Sequence, residues 1–212
     1  MTVLLVLTLV SGMGQAASLV AGQFLVASRE LGDPNFAESV ILLIQYDSDH
    51  GAMGLIVNRR TDVTLARVFS DLKEAKGRTD TVYVGGPVEL DNVLALLKSE
   101  SKPEDSKHVF GDVYLVSSKA LLEKTLSAQV ESKSFRVYVG YAGWGAGQLE
   151  HEIALGGWHI MAADACSVFH SEPESVWPRL IRRTEQQIAR AAVYSARNVS
   201  SGSTSVARSA GR

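Results

Sequence analysis

The 212-residue chain is poor in cysteine and carries no excess of charge of either sign. Its single cysteine, Cys166, excludes an intramolecular disulfide and a cysteine-rich zinc site. A formal net charge of −2 provides no overall attraction to nucleic acid. We therefore expect a globular protein held together by its apolar core, with the Cys166 thiol buried as a small hydrophobe within the apolar stretch 162–168.

The sequence also lacks the common signatures of catalytic and phosphate-binding sites. It contains no G-x-S-x-G elbow, no H-E-x-x-H motif, no P-loop and no G-x-G-x-x-G fingerprint. His151 and Glu152 supply only half of a zinc-protease motif, and adjacent residues on a helix point to different faces. We therefore predict no catalytic residue, no metal site and no cofactor.

Arginine is concentrated at the C-terminal end, where Glu185 is the only acid from Arg179 onward. Such a basic helix and tail could contact nucleic acid, but a solvated helix face is the commoner explanation. The acidic remainder of the chain and the lack of interleaved aromatic residues count against direct nucleic-acid binding.

The first 17 residues have two interpretations. The apolar run Val3–Val10 is too short to span a membrane and, with small residues at 14 and 16, is typical of a signal peptide at residues 1–16 that would export the protein. No Lys or Arg precedes this run, however, and Met13 offers an alternative start that would make the upstream residues an untranslated leader. We predict no integral membrane segment and exclude residues 1–17 from the domain.

Apolar runs rich in β-branched residues predict strands. Val40–Tyr46 is apolar almost throughout and should be buried on both faces. Ala52–Asn58 follows the polar turn Asp47–Gly51 and would complete a hairpin with it. The segment Leu90–Leu97 fits either a helix or a strand. Further predicted strands are Phe24–Ser28, Thr81–Val84, Val109–Ser117, Phe135–Gly140 and Trp158–Ala162.

Helical periodicity marks four segments: a short one capped by Thr64, then Lys119–Leu126, Gln148–Leu155 and Val176–Ala192. In the last of these, Trp177, Leu180, Ile181 and Ile188 share one face. Hairpins mixed with helices in no regular βαβ order predict an α+β fold. Residues 18–192 would form one domain, and the Ser/Gly/Arg-rich segment 193–212 a disordered tail.

Four sequence blocks occur together in a fixed order: Gly22–Ala27 with Asp33–Phe36, Gly51–Arg59, Gly85–Val88, and Gly140–Glu150. Together they resemble the AlgH/YqgE family of bacterial proteins over about residues 22–183. The resemblance implies a bifurcated mixed sheet curled into a pseudo-barrel with surrounding helices, and a cytoplasmic location. Some members are described as regulators of transcription, but the resemblance implies no particular reaction.

The glycine-rich and aromatic parts of these blocks predict a ligand or partner surface. The glycines at 85 and 86 could form an anion-binding nest or a tight turn. Segment 141–148 could form a pocket wall or a packing corner, and the backbone N–H groups at its helix start favour an anion. The predicted surface consists of Asn58, Arg59, Gly85, Gly86, Pro87, Tyr141, Trp144 and Gln148.

The absence of catalytic signatures favours a non-catalytic binding or regulatory module that influences transcription indirectly. Its partner would be an unidentified protein or small molecule. The alternative is an enzyme or small-ligand-binding protein that uses the glycine-rich loops at 85–87 and 140–148.

Overall fold

The computed structural model describes the backbone of residues 18–202 and the side chains of residues 18–194. Both interpretations of segment 1–17 lie outside the described residues, as does the part of the predicted tail at 203–212. Within the described part of the chain, no helix is long and apolar enough to cross a membrane.

Ten strands and five α-helices make up the described chain. The strands are β1 (Gln23–Ala27), β2 (Val40–Asp47), β3 (Gly51–Ile56), β4 (Arg60–Thr64), β5 (Thr81–Val84), β6 (Val88–Lys98), β7 (Ser106–Phe110), β8 (Val113–Val116), β9 (Phe135–Trp144) and β10 (Trp158–Ala162). The helices are α1 (Leu65–Val68), α2 (Lys119–Ser127), α3 (Gln148–Ala154), α4 (Ala165–Val168) and α5 (Val176–Gly202), with 3-10 turns at Lys73–Ala75 and Pro173–Ser175.

The sheet forks at β9. Its main path runs β10-β1-β2-β3-β9-β6-β8-β7, and a branch made of β4 and β5 joins β9. Ala142–Trp144 of β9 pair antiparallel with β3, whereas Tyr138 and Val139 pair with β5 in the one parallel contact among the described strands. This curled, bifurcated sheet with surrounding helices confirms the predicted α+β pseudo-barrel.

Side-chain alternation along the central strands builds two apolar clusters. Successive residues of a strand point to opposite faces of the sheet. Tyr138 of β9 therefore joins a large cluster with β1, β2 and α5, while Phe135 and Val137 join a smaller one with α2. Leu96 and Leu97 of β6 divide between the two clusters in the same way.

Several strand predictions are confirmed and others need correction. Val40–Ile44 is fully buried, and β2 forms the expected hairpin with β3. The ambiguous segment Leu90–Leu97 is a strand within β6. The single strand predicted over Val109–Ser117 is wrong, because Gly111 adopts a positive φ and turns the chain between β7 and β8.

The N-terminal half also contains β4, a strand that the sequence pattern does not predict. Its sequence RTDVT is largely polar and gives no apolar signal, yet it pairs with β5. Thr64 does precede helix α1, but its side chain makes no capping hydrogen bond and the helix has only four residues. The apolar periodicity after Thr64 continues into a 3-10 turn rather than one regular helix.

Helix α5 differs from its prediction at its C-terminal end. Trp177, Leu180 and Ile181 are buried, but the predicted face does not extend to Ile188, which is 54% exposed. The helix continues past Ala192 to Gly202, and the side chains of residues 186–194 are all exposed. Cys166 is likewise exposed, because α4 turns Ser167 and Val168 inward instead.

Candidate functional site

Asn58 and Arg59 hold the connection between β1 and β2 in place. The buried Asn58 side chain accepts a hydrogen bond from Val40 N at 2.8 Å and donates one to Glu38 O at 2.9 Å. Arg59 Nη2 donates to Ala37 O at 3.1 Å, and burial lowers the pKa of its guanidinium. Both side chains thus make structural contacts with the backbone of this connection.

Gly85 and Gly86 lie at the fork of the sheet. Gly85 N–H donates to Val139 O at 2.9 Å, and its carbonyl accepts from Ile56 N at 2.8 Å. A Cβ at Gly85 would lie 2.3 Å from Gly140 O, and one at Gly86 would lie 2.1 Å from the Tyr141 carbonyl carbon. These glycines therefore serve close backbone packing, and the Gly85 N–H is not free for an anion-binding nest.

Trp144 and Gln148 belong to a cluster that centres on Glu152. Trp144 Nε1 and Trp158 Nε1 both donate to Glu152 Oε2, at 3.0 and 2.8 Å, and Gln148 Nε2 donates to Oε1 at 3.0 Å. Phe36 stacks on Trp144 with ring centroids 6.0 Å apart and meets Trp158 edge-on at 5.8 Å. We call Phe36, Trp144, Gln148, Glu152 and Trp158 the Trp–Glu cluster.

The neighbouring acid on α3 points elsewhere, as expected for residues close in sequence on a helix. Glu150 Oε1 accepts a hydrogen bond of 2.5 Å from the Tyr46 hydroxyl, and this bond raises the pKa of Tyr46. Among the described residues, no group of three or more His, Cys, Asp or Glu side chains could hold a metal ion.

Tyr141 and Trp144 line an open depression of about 440 Å³ where β3 and β9 pair. Burial is the main cause of a raised Tyr141 pKa, and Glu89 beside the phenol adds to it. Of the eight residues of the predicted surface, these two meet here; Gln148 lies nearby in the Trp–Glu cluster, and the other five do not line it. The full lining of this Tyr141 depression is Gln45, His50, Gly51, Ala52, Met53, Val88, Tyr141, Gly143 and Trp144.

A second concavity, of about 410 Å³, lies where β4 and β5 meet the start of β9. We call it the Arg136 cleft, after the buried arginine in its wall. Arg136 and Tyr138 alternate with Phe135 and Val137, a pattern that predicts a solvent-facing arginine and therefore does not indicate this cleft. Its lining is Arg60, Thr61, Asp62, Leu65, Thr79, Asp80, Thr81, Tyr83, Ser132, Lys133, Phe135, Arg136, Val137, Phe169 and Ser171.

Comparison with known proteins shows relatives along most of the chain. It is 35% identical over 193 residues to a UPF0301 protein of Streptomyces avermitilis, covering 87% of this chain and 96% of that one. It is 38% identical over 150 residues to a UPF0301 protein of Chromobacterium violaceum, covering 69% and 80%.

Solved structures agree with the fold. The solution structure of the AlgH protein from Pseudomonas aeruginosa matches with a TM-score of 0.60 and 30% identity, covering 81% of this chain and 86% of that one. A crystal structure of a protein from Corynebacterium diphtheriae matches in fold with a TM-score of 0.67 and 24% identity, covering 78% and 87%. Residues 24–189 match the sequence model described as AlgH-like, so the chain belongs to the AlgH-like family.

Proposed function

We propose that the chain is a non-catalytic binding module of the cytoplasm that recognises a protein or small-molecule partner at the Tyr141 depression and influences transcription indirectly. One observation carries the proposal. The two longest family-like blocks meet at this depression, where Met53 pairs with Gly143 and Ala52 with Trp144 across β3 and β9.

The chemistry of the depression suits contact with a partner. Tyrosine and methionine are enriched at protein interfaces, because they supply apolar area together with a polar or adaptable tip. Tyr141 and Met53 are partly exposed, and Gly143, which is exposed and has no side chain, lies beside the Tyr141 ring. The Trp–Glu cluster beside them fixes Trp144, so a partner would meet a preorganised wall.

The titratable groups near the depression support binding rather than catalysis. Both oxygens of Glu152 accept hydrogen bonds from the Trp–Glu cluster, and Glu150 accepts one from Tyr46. His50 contacts Asp47 at 2.9 Å, but its side chain is 81% exposed to bulk solvent. A general base works best in an enclosed site that positions the substrate proton, and His50 has no such enclosure.

Two neighbouring glycines allow a matched test. A Cβ at Gly143 would lie 3.2 Å from the Tyr141 ring, whereas one at Gly145 would have no heavy atom within 4 Å. Neither glycine has a positive φ. Gly143→Gln should therefore fill the depression, while Gly145→Gln places the same side chain just beyond it.

Each variant would replace the wild-type chain in its host, with transcript profiles compared with those of a deletion strain. Gly143→Gln should reproduce the deletion profile and lose the partner that co-purifies with the wild type, whereas Gly145→Gln should keep both. If Gly143→Gln folds and keeps both the partner and the wild-type profile, the depression is not the binding site.

A further inference from the structure

Arg136 is a buried cation without a full set of partners. The residue is only 5% exposed, and neither Nε nor Nη1 has a hydrogen-bond partner among the described residues. Nη2 donates to His170 O, and the guanidinium carbon lies 4.5 Å from the centre of the Tyr83 ring. An aromatic face and one carbonyl, with the neutral Tyr138 hydroxyl nearby, compensate a buried charge incompletely, so the position favours an additional anion.

The cleft beside Arg136 has the size and polarity of a small-molecule site. Its volume of about 410 Å³ falls within the range typical of ligand pockets. Three basic side chains line it, Arg60, Lys133 and Arg136, together with the hydroxyls of Ser132 and Ser171. Its walls therefore combine positive charge with hydrogen-bond donors.

Two carboxylates also line the cleft, and one of them is already neutralised. Asp80 forms a bidentate ion pair with Arg78, with distances of 2.8 and 2.6 Å. Asp62 is the second acid of the lining. Arg60 and Lys133 also have acidic partners, so Arg136 and Asp62 are the charged lining side chains that form no ion pair among the described residues.

The basic groups at the mouth of the cleft make exchangeable contacts. Arg60 pairs with Glu174 at 2.9 Å, and Lys133 with Glu131 at 2.6 Å, in each case through side chains that are 45% or more exposed. Exposed ion pairs of this kind contribute little free energy. A ligand carrying its own negative charge could therefore displace Glu174 from Arg60 at small cost.

We propose that the Arg136 cleft binds a small molecule through a carboxylate or phosphate group. The negative charge of this carboxylate or phosphate compensates the positive charge of Arg136, and Arg60 and Lys133 contact the same group at the mouth of the cleft. The site is distinct from the Tyr141 depression, so it stands or falls independently of the function proposed above.

The proposal is tested by NMR titration of the isotope-labelled full chain with sodium phosphate and, separately, sodium succinate. Sodium chloride at equal ionic strength is the control. We expect saturable amide shifts at residues 60–62 and 132–136 with at least one of the two anions. Saturation with phosphate alone identifies a phosphorylated ligand, and saturation with succinate alone a carboxylate. Shifts that match those of chloride for both anions overturn the proposal.

Variants assign the binding to these side chains. Arg60→Gln should weaken it about tenfold, since a charge-assisted hydrogen bond is lost. Lys98→Gln is the matched control: Lys98 is equally exposed, is paired with Asp112 at 3.6 Å, and does not line the cleft. Equal affinity of Arg60→Gln and Lys98→Gln would overturn the proposal.

Arg136→Met separates a ligand-binding role from a structural one. With the anion absent, this variant should unfold at a Tm no lower than that of the wild type, because it removes an incompletely compensated buried charge. With the anion present, only the wild type should gain Tm. A folded Arg136→Met that still binds phosphate or succinate with wild-type affinity contradicts the proposal, and if this variant fails to fold, the affinity of Arg60→Gln decides.

Discussion

The indole nitrogen of Trp144 donates a 3.0 Å hydrogen bond to the carboxylate of Glu152, and this bond ties the end of β9 to helix α3. The same Glu152 oxygen accepts from Trp158 at the start of β10. A single carboxylate therefore joins three consecutive elements of the chain.

Glu152→Ala should destabilise the protein by about 2 kcal/mol or more, because two largely buried indole N–H groups lose their acceptor. Glu152→Gln should cost less, since its amide oxygen can still accept. Urea denaturation measures both, with His151→Ala, an exposed change on the same helix, as the control. Equal stability of Glu152→Ala and His151→Ala would show that the Trp–Glu cluster contributes nothing.

Gly85→Ala should strongly destabilise the fold, because its Cβ would meet Gly140 O at 2.3 Å and backbone atoms cannot move aside easily. Overpacking typically costs about 1–3 kcal/mol even where side chains can adjust. Gly145→Ala, in open space, should leave stability unchanged or slightly higher. Thermal unfolding of the two variants tests the fork directly, and similar Tm values would contradict the close approach of the two strands.

Stability should fall in alkaline solution because folding favours neutral phenols. Burial raises the pKa of Tyr83 and Tyr138, and the hydrogen bond to Glu150 raises that of Tyr46. A raised pKa in the folded state gives a contribution that is complete below the unfolded value of about 10 and is lost as pH rises above it. Urea unfolding from about pH 9 to pH 11 measures the loss.

The variant Tyr138→Phe isolates part of this effect. The Tyr138 hydroxyl is buried beside Arg136 but makes no well-formed hydrogen bond among the described residues, so its removal should cost little stability at neutral pH. The alkaline loss should become smaller in this variant. Tyr194→Phe, at a position that is 69% exposed, is the control and should keep the wild-type pH dependence.

Glu174→Gln should strengthen anion binding in the Arg136 cleft, because Arg60 no longer shares its charge with a neighbouring carboxylate. The expected gain is about two- to fivefold, in keeping with the small free energy of exposed ion pairs. Titration with the anion that saturates the wild type provides the measurement. Weaker binding would indicate that Glu174 positions Arg60 instead of competing for it.

The sequence predicts elements whose signals lie in contiguous residues. Val40–Ile44 is apolar throughout, and the polar turn that follows sets up the hairpin with β3, so both strands were predicted. Local sequence pattern does not predict the fork, because the fork depends on the contact of Gly85 with Gly140, which are distant in the chain. Local sequence pattern does not predict strand β4 either, because its residues are largely polar and its partner strand β5 lies elsewhere in the chain.

The residues of the predicted surface show the same dependence on distance along the chain. Tyr141 and Trp144 were predicted and do share one depression, because they lie close together on one strand. Asn58 and Arg59 were grouped with them by sequence blocks, yet their side chains hold backbone carbonyls of the β1–β2 connection. Whether a polar side chain faces a ligand or the protein itself depends on tertiary contacts that local sequence does not encode.

The fork at β9 also bears on how the protein loses its structure. One strand hydrogen-bonds to β6 on one side and to both β3 and β5 on the other, and its side chains enter both apolar clusters. Neither cluster should unfold while the other stays folded, because the unfolding of either one would remove β9 from the sheet. Backbone amides of β9 should consequently exchange with deuterium only through global opening, and calorimetry should record a single cooperative transition.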